Sequence, residues 1–174
     1  MYFLRPEADL WLDVAEFERE SSAGLQLLEG RRAPPPAPDV EYVIARLQAA
    51  LRLYTGDYLP EALYDDWATE ERERLLALYL RCADKLAGVL LERGQLSETL
   101  EVCQLILARD PCWERAYRLI MAAHARQGNR PQAFRVYQQC VNILRAELDV
   151  APSAATVALR ERIAQEADLS TTDL

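Results

Sequence analysis

Two glycines, Gly94 and Gly128, lie 34 residues apart, and each falls between stretches that read as amphipathic helices. Residues 86–93 and 95–100 flank the first glycine; residues 120–127 and 129–134 flank the second. A period of that length is typical of a helix–turn–helix repeat in which a glycine makes the turn and a small or apolar residue follows about five to six positions on. One such helix pair cannot bury both of its apolar faces, so neighbouring pairs must stack. A stack of helix pairs is a recognition surface before it is a catalyst.

The chain has 174 residues, enough for three helix pairs and a closing helix. No apolar run approaches the roughly 18 residues that a membrane-spanning helix needs. Residues 1–7 lack the basic start and apolar core of a secretory signal, so no membrane partner and a cytoplasmic address are expected. The net charge of −8 opposes strong binding of nucleic acid by the chain as a whole. The charge is uneven, however. Residues 57–74 hold seven acids against Arg72 and Arg74, whereas residues 126–162 hold six arginines against Glu147, Asp149 and Glu161. Both solvated helix faces and faces meant for different partners fit this asymmetry.

The four cysteines, Cys82, Cys103, Cys112 and Cys140, show no paired spacing of the kind that binds zinc, and no histidine cluster accompanies them. Cys82 and Cys103 fall on apolar stripes, which predicts buried free thiols. No cofactor or metal is expected.

Along the chain, Tyr2, Leu4, Leu10 and Leu12 surround the polar residues 5–9, which predicts a short β-hairpin over residues 1–12. Asp13, with Glu16 three residues on, predicts a helix start and a helix to about residue 29. The proline-rich stretch 30–38 breaks it. Asp39 is expected to cap a helix that Gly56 ends. From Trp67 to Arg93 the apolar period runs without proline, which predicts a single long helix. Ser97 is expected to cap the next helix, and Asp110-Pro111 resets the chain. Further helices are expected at about 112–127, 131–147 and 153–167, with a frayed tail over 168–174. The expected fold is all-α, a helical-repeat array of about seven helices resembling tetratricopeptide repeats.

Several motifs then fall in order. They are residues 50–59 (with Tyr54, Gly56 and Asp57), residues 67–75 opening on Trp67, Gly94 after Glu92-Arg93, Asp110-Pro111, residues 128–133 opening on Gly128, Tyr137, and residues 147–153. Together they resemble the bacterial transcriptional activator domain of regulators similar to the Streptomyces antibiotic regulatory proteins, over roughly residues 10–163. The resemblance implies a domain that follows an N-terminal winged helix–turn–helix reader of DNA, of which residues 1–12 would be a remnant, with the activator domain over 13–167. Where the family has Leu-Gly-x-Glu-Pro, this chain has Leu148-Asp149-Val150-Ala151-Pro152, so a glycine and an acid are replaced; Asp149 can still adopt a left-handed turn, at some cost.

The resemblance implies regulatory protein–protein contact: self-association, including a homodimer, positioning of the DNA-binding domain, and contact with RNA polymerase. DNA would be met only through the missing N-terminal domain or by a weak phosphate contact. Candidate surfaces are the groove between residues 67–93 and 112–127 and the region of Arg126, Arg130 and Arg135. The alternative is a stand-alone tetratricopeptide adaptor for a peptide partner, but the chain has one lysine, Lys85, and two asparagines, Asn129 and Asn142, for clamping a carboxylate. An enzyme is not expected. The sole histidine, His124, sits on a helix beside Ile120 and Met121, and no nucleophile signature or phosphate-binding glycine loop is present.

Overall fold

A computed structural model describes residues 7–28, 37–54 and 66–165. Its elements are α1 (Glu7–Gln26), α2 (Ala37–Leu53), α3 (Asp66–Glu92), α4 (Leu96–Arg109), α5 (Glu114–Arg126), α6 (Arg130–Leu148) and α7 (Ala154–Ala164). No strand occurs among the described residues. The chain divides into two compact units, residues 1–85 and 86–174, and the division falls within α3.

The expected hairpin is corrected in its second arm: residues 10–12 lie within α1, which starts at Glu7, and the first arm lies outside the described residues. Leu10, Val14 and Phe17 are spaced by four and three, a helical period that outweighs a short apolar alternation. The acids Glu7 and Asp9 also suit the positive end of the helix dipole. Asp13 and Asp39 therefore stand inside α1 and α2 rather than before them. Gly56, Asp57 and the 168–174 tail lie outside the described residues.

In the first unit, α1 and α2 pack against each other. Phe17 meets the Tyr54 ring at 5.7 Å, while Gly24 further along α1 approaches Leu47 further back in α2, so the two helices run antiparallel. A Cβ on Gly24 would stand 2.7 Å from Leu47 Cδ2, so glycine is what permits this spacing. Tyr54 also stacks on Tyr79 of α3 at 4.5 Å. Tyr54 thus joins Phe17 and Tyr79 within the first unit. Glu20 is buried, and Arg46 answers its charge, donating from Nη1 to both carboxylate oxygens at 3.2 and 3.0 Å.

The second unit joins the end of α3 to α4–α7. Gly94 and Gly128 adopt φ of +73° and +74° and close the same turn twice. The Gly94 and Gln95 N–H groups donate to Leu91 and Leu90 carbonyls at 3.0 and 2.9 Å; those of Gly128 and Asn129 donate to Ala125 and His124 at 2.9 and 2.8 Å. Each turn satisfies two carbonyls that the helix end would otherwise leave bare, and the left-handed backbone explains the glycine. Nothing lies within 4 Å of a Cβ built on either residue, so conformation and not space makes the demand. Thr99 and Ala133, five positions after each glycine, are fully buried.

This turn also corrects the expected cap of α4. The helix begins at Leu96 with Gln95 in the cap position, and Ser97 lies inside its first turn. The residue that closes the turn, Gln95, is itself the cap residue, so Ser97 comes two positions too late to take that place. Asn129 does cap α6, accepting the Gln132 N–H at 3.3 Å, with Pro131 in the first turn as expected. After α6 the left-handed residue is Asp149, at φ 54°.

Helix α5 packs against α4, α6 and α7. Its residues Ala116, Tyr117, Leu119, Ile120, Met121, Ala122 and Ala123 are all buried, so the helix is enclosed around most of its circumference. Cys103 and Cys140 join this core as free thiols, as Cys82 does in the first unit; Cys112 is half-buried. Burial pushes the Cys140 thiol up to about 12, as suits a thiol that serves only to pack.

Candidate interaction surface

The three arginines singled out by the sequence occupy different environments. Arg126, in the last turn of α5, donates from Nη1 to the Leu91 carbonyl near the end of α3. That oxygen also receives the Gly94 N–H. A guanidinium at this position secures a helix terminus. Arg130 is half-buried at the start of α6, and Arg135 is exposed, donating to Gln132 Oε1 at 3.2 Å. Of the expected groove between residues 67–93 and 112–127, only the part of α3 from Leu86 shares a unit with α5.

The other singled-out residues have structural surroundings. The Asp110 carboxylate accepts the Cys112 N–H at 2.8 Å, bending the chain between α4 and α5. The Pro111 carbonyl accepts the Tyr117 hydroxyl at 2.9 Å, which satisfies the one polar atom of a buried ring. Trp67 lies in the first turn of α3. His124 is half-exposed with Nδ1 3.2 Å from Gln127 Oε1.

One polar cluster was not anticipated. Glu114 opens α5, and its Oε2 accepts the Ser153 N–H at 2.9 Å, the Ser153 hydroxyl at 2.7 Å and the Thr156 hydroxyl at 2.6 Å. Arg118, one turn on, donates to Thr156 Oγ1 at 3.0 Å. Ser153 is the cap residue of α7 and makes no side-chain cap to its own helix. In a capping box, a glutamate three residues after the cap reaches back to the cap N–H. Thr156 occupies that position here, and Glu114 supplies the carboxylate from α5. Burial pushes the Glu114 carboxyl up, but the hydrogen bonds from Thr156 and Ser153 outweigh it and hold the group below its usual range. The sequence signal was a helix start of the form Ser-x-x-Thr, a box lacking its acid.

On α6, Phe134 and Tyr137 are half-buried, and the Arg160 guanidinium of α7 lies over both rings, 6.0 Å from each centroid. Among the described residues, no group of three or more His, Cys, Asp or Glu side chains is placed to hold a metal ion, and no helix is long and apolar enough to cross a membrane. Helix faces carrying arginine, amide and aromatic groups are suited to binding.

The sequence profile described as the bacterial transcriptional activator domain matches residues 12–164. No curated protein matches the chain by sequence. A similar solved structure is that of Mycobacterium tuberculosis EmbR in complex with low affinity phosphopeptide, with a TM-score of 0.77 and 20% identity, covering 91% of this chain and 40% of that one. At that identity the likeness concerns the fold, an all-α helical-repeat array. The chain spans well under half the length of the protein it resembles.

Proposed function

Because the chain belongs to the bacterial transcriptional activator domain family, we propose that it is the regulatory part of a transcription activator and works by protein–protein contact in the cytoplasm. Self-association, positioning of a DNA-binding domain and contact with RNA polymerase are the three forms this contact takes. DNA is met through the DNA-binding domain, or by a weak phosphate contact from this chain. The observation that carries the reading is the family match across nearly the whole array, from α1 to the last residue of α7. The complex of EmbR with a phosphopeptide agrees with a regulator that answers to other proteins.

Within this reading the arginine surface is narrower than the sequence suggested. Arg126 is tied to the Leu91 carbonyl and secures a helix end, so Arg130 and Arg135, at the start of α6, are the members to test. Fusion of the chain to an unrelated DNA-binding domain in a bacterial reporter strain tests the proposal. The fusion should raise transcription from a promoter bearing the cognate site, and the purified chain should retain polymerase or a second copy of itself. A fusion that binds its site yet leaves transcription unchanged, with neither partner retained, overturns it. Charge reversal at Arg130 and Arg135 together should lower activation; unchanged activation removes that surface.

A further inference from the structure

We propose that the flank of α6 beside α7 docks an acidic amphipathic helix of a protein partner, a deepening of the regulatory-contact reading on which it rests. Arg130, Phe134, Tyr137, Val141 and Arg145 follow one another at steps of four and three, so they form one row along α6. The first four are half-buried and Arg145 is exposed. The row has an aromatic and aliphatic middle between Arg130 and Arg145, whose backbone positions lie about 22 Å apart along the helix at 1.5 Å per residue. Arg160 completes it from α7, above both rings. A different face of α6, made of Ala133, Val136, Cys140 and Leu144, enters the core.

Charge selects the occupant. Residues 115–146 contain six arginines and neither Asp nor Glu, in a chain whose net charge is −8. An acidic segment is therefore attracted more strongly to this stretch than to the chain as a whole. Tyrosine and arginine at a partly dry centre are the composition of interface anchors. The rings offer apolar anchorage to an aliphatic side chain, and the exposed Arg145 and Arg160 offer planar donors to carboxylates. Duplex DNA fits less well. Its phosphates need cations and not rings, and Glu147 and Asp149 stand directly after Arg145.

The test uses the whole chain and a fluorescent synthetic helix with leucines at every third and fourth position and glutamates on both flanks. Its Glu→Gln counterpart and a fluorescent DNA duplex serve as comparison probes, read by anisotropy at near-physiological salt. The acidic helix should bind at least about tenfold more tightly than either comparison probe. The double reversal R145E/R160E, on two exposed residues, should weaken it about tenfold or more with circular dichroism unchanged. Phe134→Ala should weaken it as well; if that variant unfolds, the arginine pair still decides. Equal affinity for the glutamine helix, a preference for DNA, or indifference to R145E/R160E overturns the proposal. So does self-association of the chain that R145E/R160E abolishes, since the row would then belong to a second copy. No affinity for the acidic helix beside intact reporter activation removes this docking row alone. Affinity for it, with neither activation nor retention of polymerase or a second copy, removes the regulatory reading alone.

Discussion

The Glu114 carboxylate caps a helix to which it does not belong. Its Oε2 stands 2.9 Å from the Ser153 nitrogen and 2.7 Å from the Ser153 hydroxyl, at the first turn of α7. The closing helix of the array is thereby tied to α5, where the core is deepest. Thr156 is fully buried and donates to the same oxygen, so loss of the carboxylate also removes that hydrogen bond from the core and leaves the hydroxyl with Arg118 and Ser153.

Glu114→Ala should destabilise the chain by about 2 kcal/mol, the range for removing hydrogen bonds to a charged, partly buried acceptor. Urea unfolding measures it. The folded carboxyl titrates below an unfolded glutamate, whose pKa is about 4.3. Its contribution is therefore complete above that value and is lost as pH falls through the folded pKa. The gap between the wild type and Glu114→Ala should narrow as the medium is acidified below about pH 4. A gap that widens on acidification would contradict the assignment.

Asp149→Gly should stabilise the chain by about 0.5–1 kcal/mol, because glycine enters the left-handed region without the penalty of a Cβ. The matching change in the opposite sense, Gly128→Ala, should cost about 1 kcal/mol by the same mechanism. Thermal melts of both variants provide the comparison, and a destabilised Asp149→Gly would mean that its side chain does more than its backbone.

Gly24→Ala should cost about 1–3 kcal/mol, since the new methyl meets the fully buried Leu47 and cannot be moved aside cheaply. The companion Leu47→Val would relieve part of the clash. A double-mutant cycle on the two sites should give an interaction energy well above the scatter of about 0.5 kcal/mol seen between independent sites.

Arg126→Ala should lower stability by about 1 kcal/mol, the usual worth of one hydrogen bond, whereas Arg135→Ala should fall within about 0.5 kcal/mol of the parent. Denaturant midpoints distinguish the two. Equal effects would show that the Leu91 contact carries no weight.

The array was legible because its strongest signals are local. Gly94 and Gly128 announce left-handed turns, and the stretch from Trp67 to Arg93 has a helical period and no proline to interrupt it. The turn after α6 was open in the sequence, because an aspartate stands where the family has glycine; Asp149 adopts the left-handed conformation. The misreadings have equally local causes. Around Leu10 and Leu12 the apolar residues are too few to tell a period of two from one of 3.6. Ser97 has the right chemistry for a cap, but Gly94 delivers the chain into α4 before that residue is reached. The Glu114 cluster and the Arg160 contact with Phe134 and Tyr137 join residues distant in sequence, so spacing alone could not reveal them. Arg126 looked like a surface charge because its partner is a main-chain carbonyl, which leaves no mark in the sequence.

The enclosure of α5 limits what the centre of the second unit tolerates. The helix presents alanines at 116, 122 and 123 and packs against α4, α6 and α7. At these three buried positions a bulkier residue could not turn toward water and would have to displace a neighbouring helix.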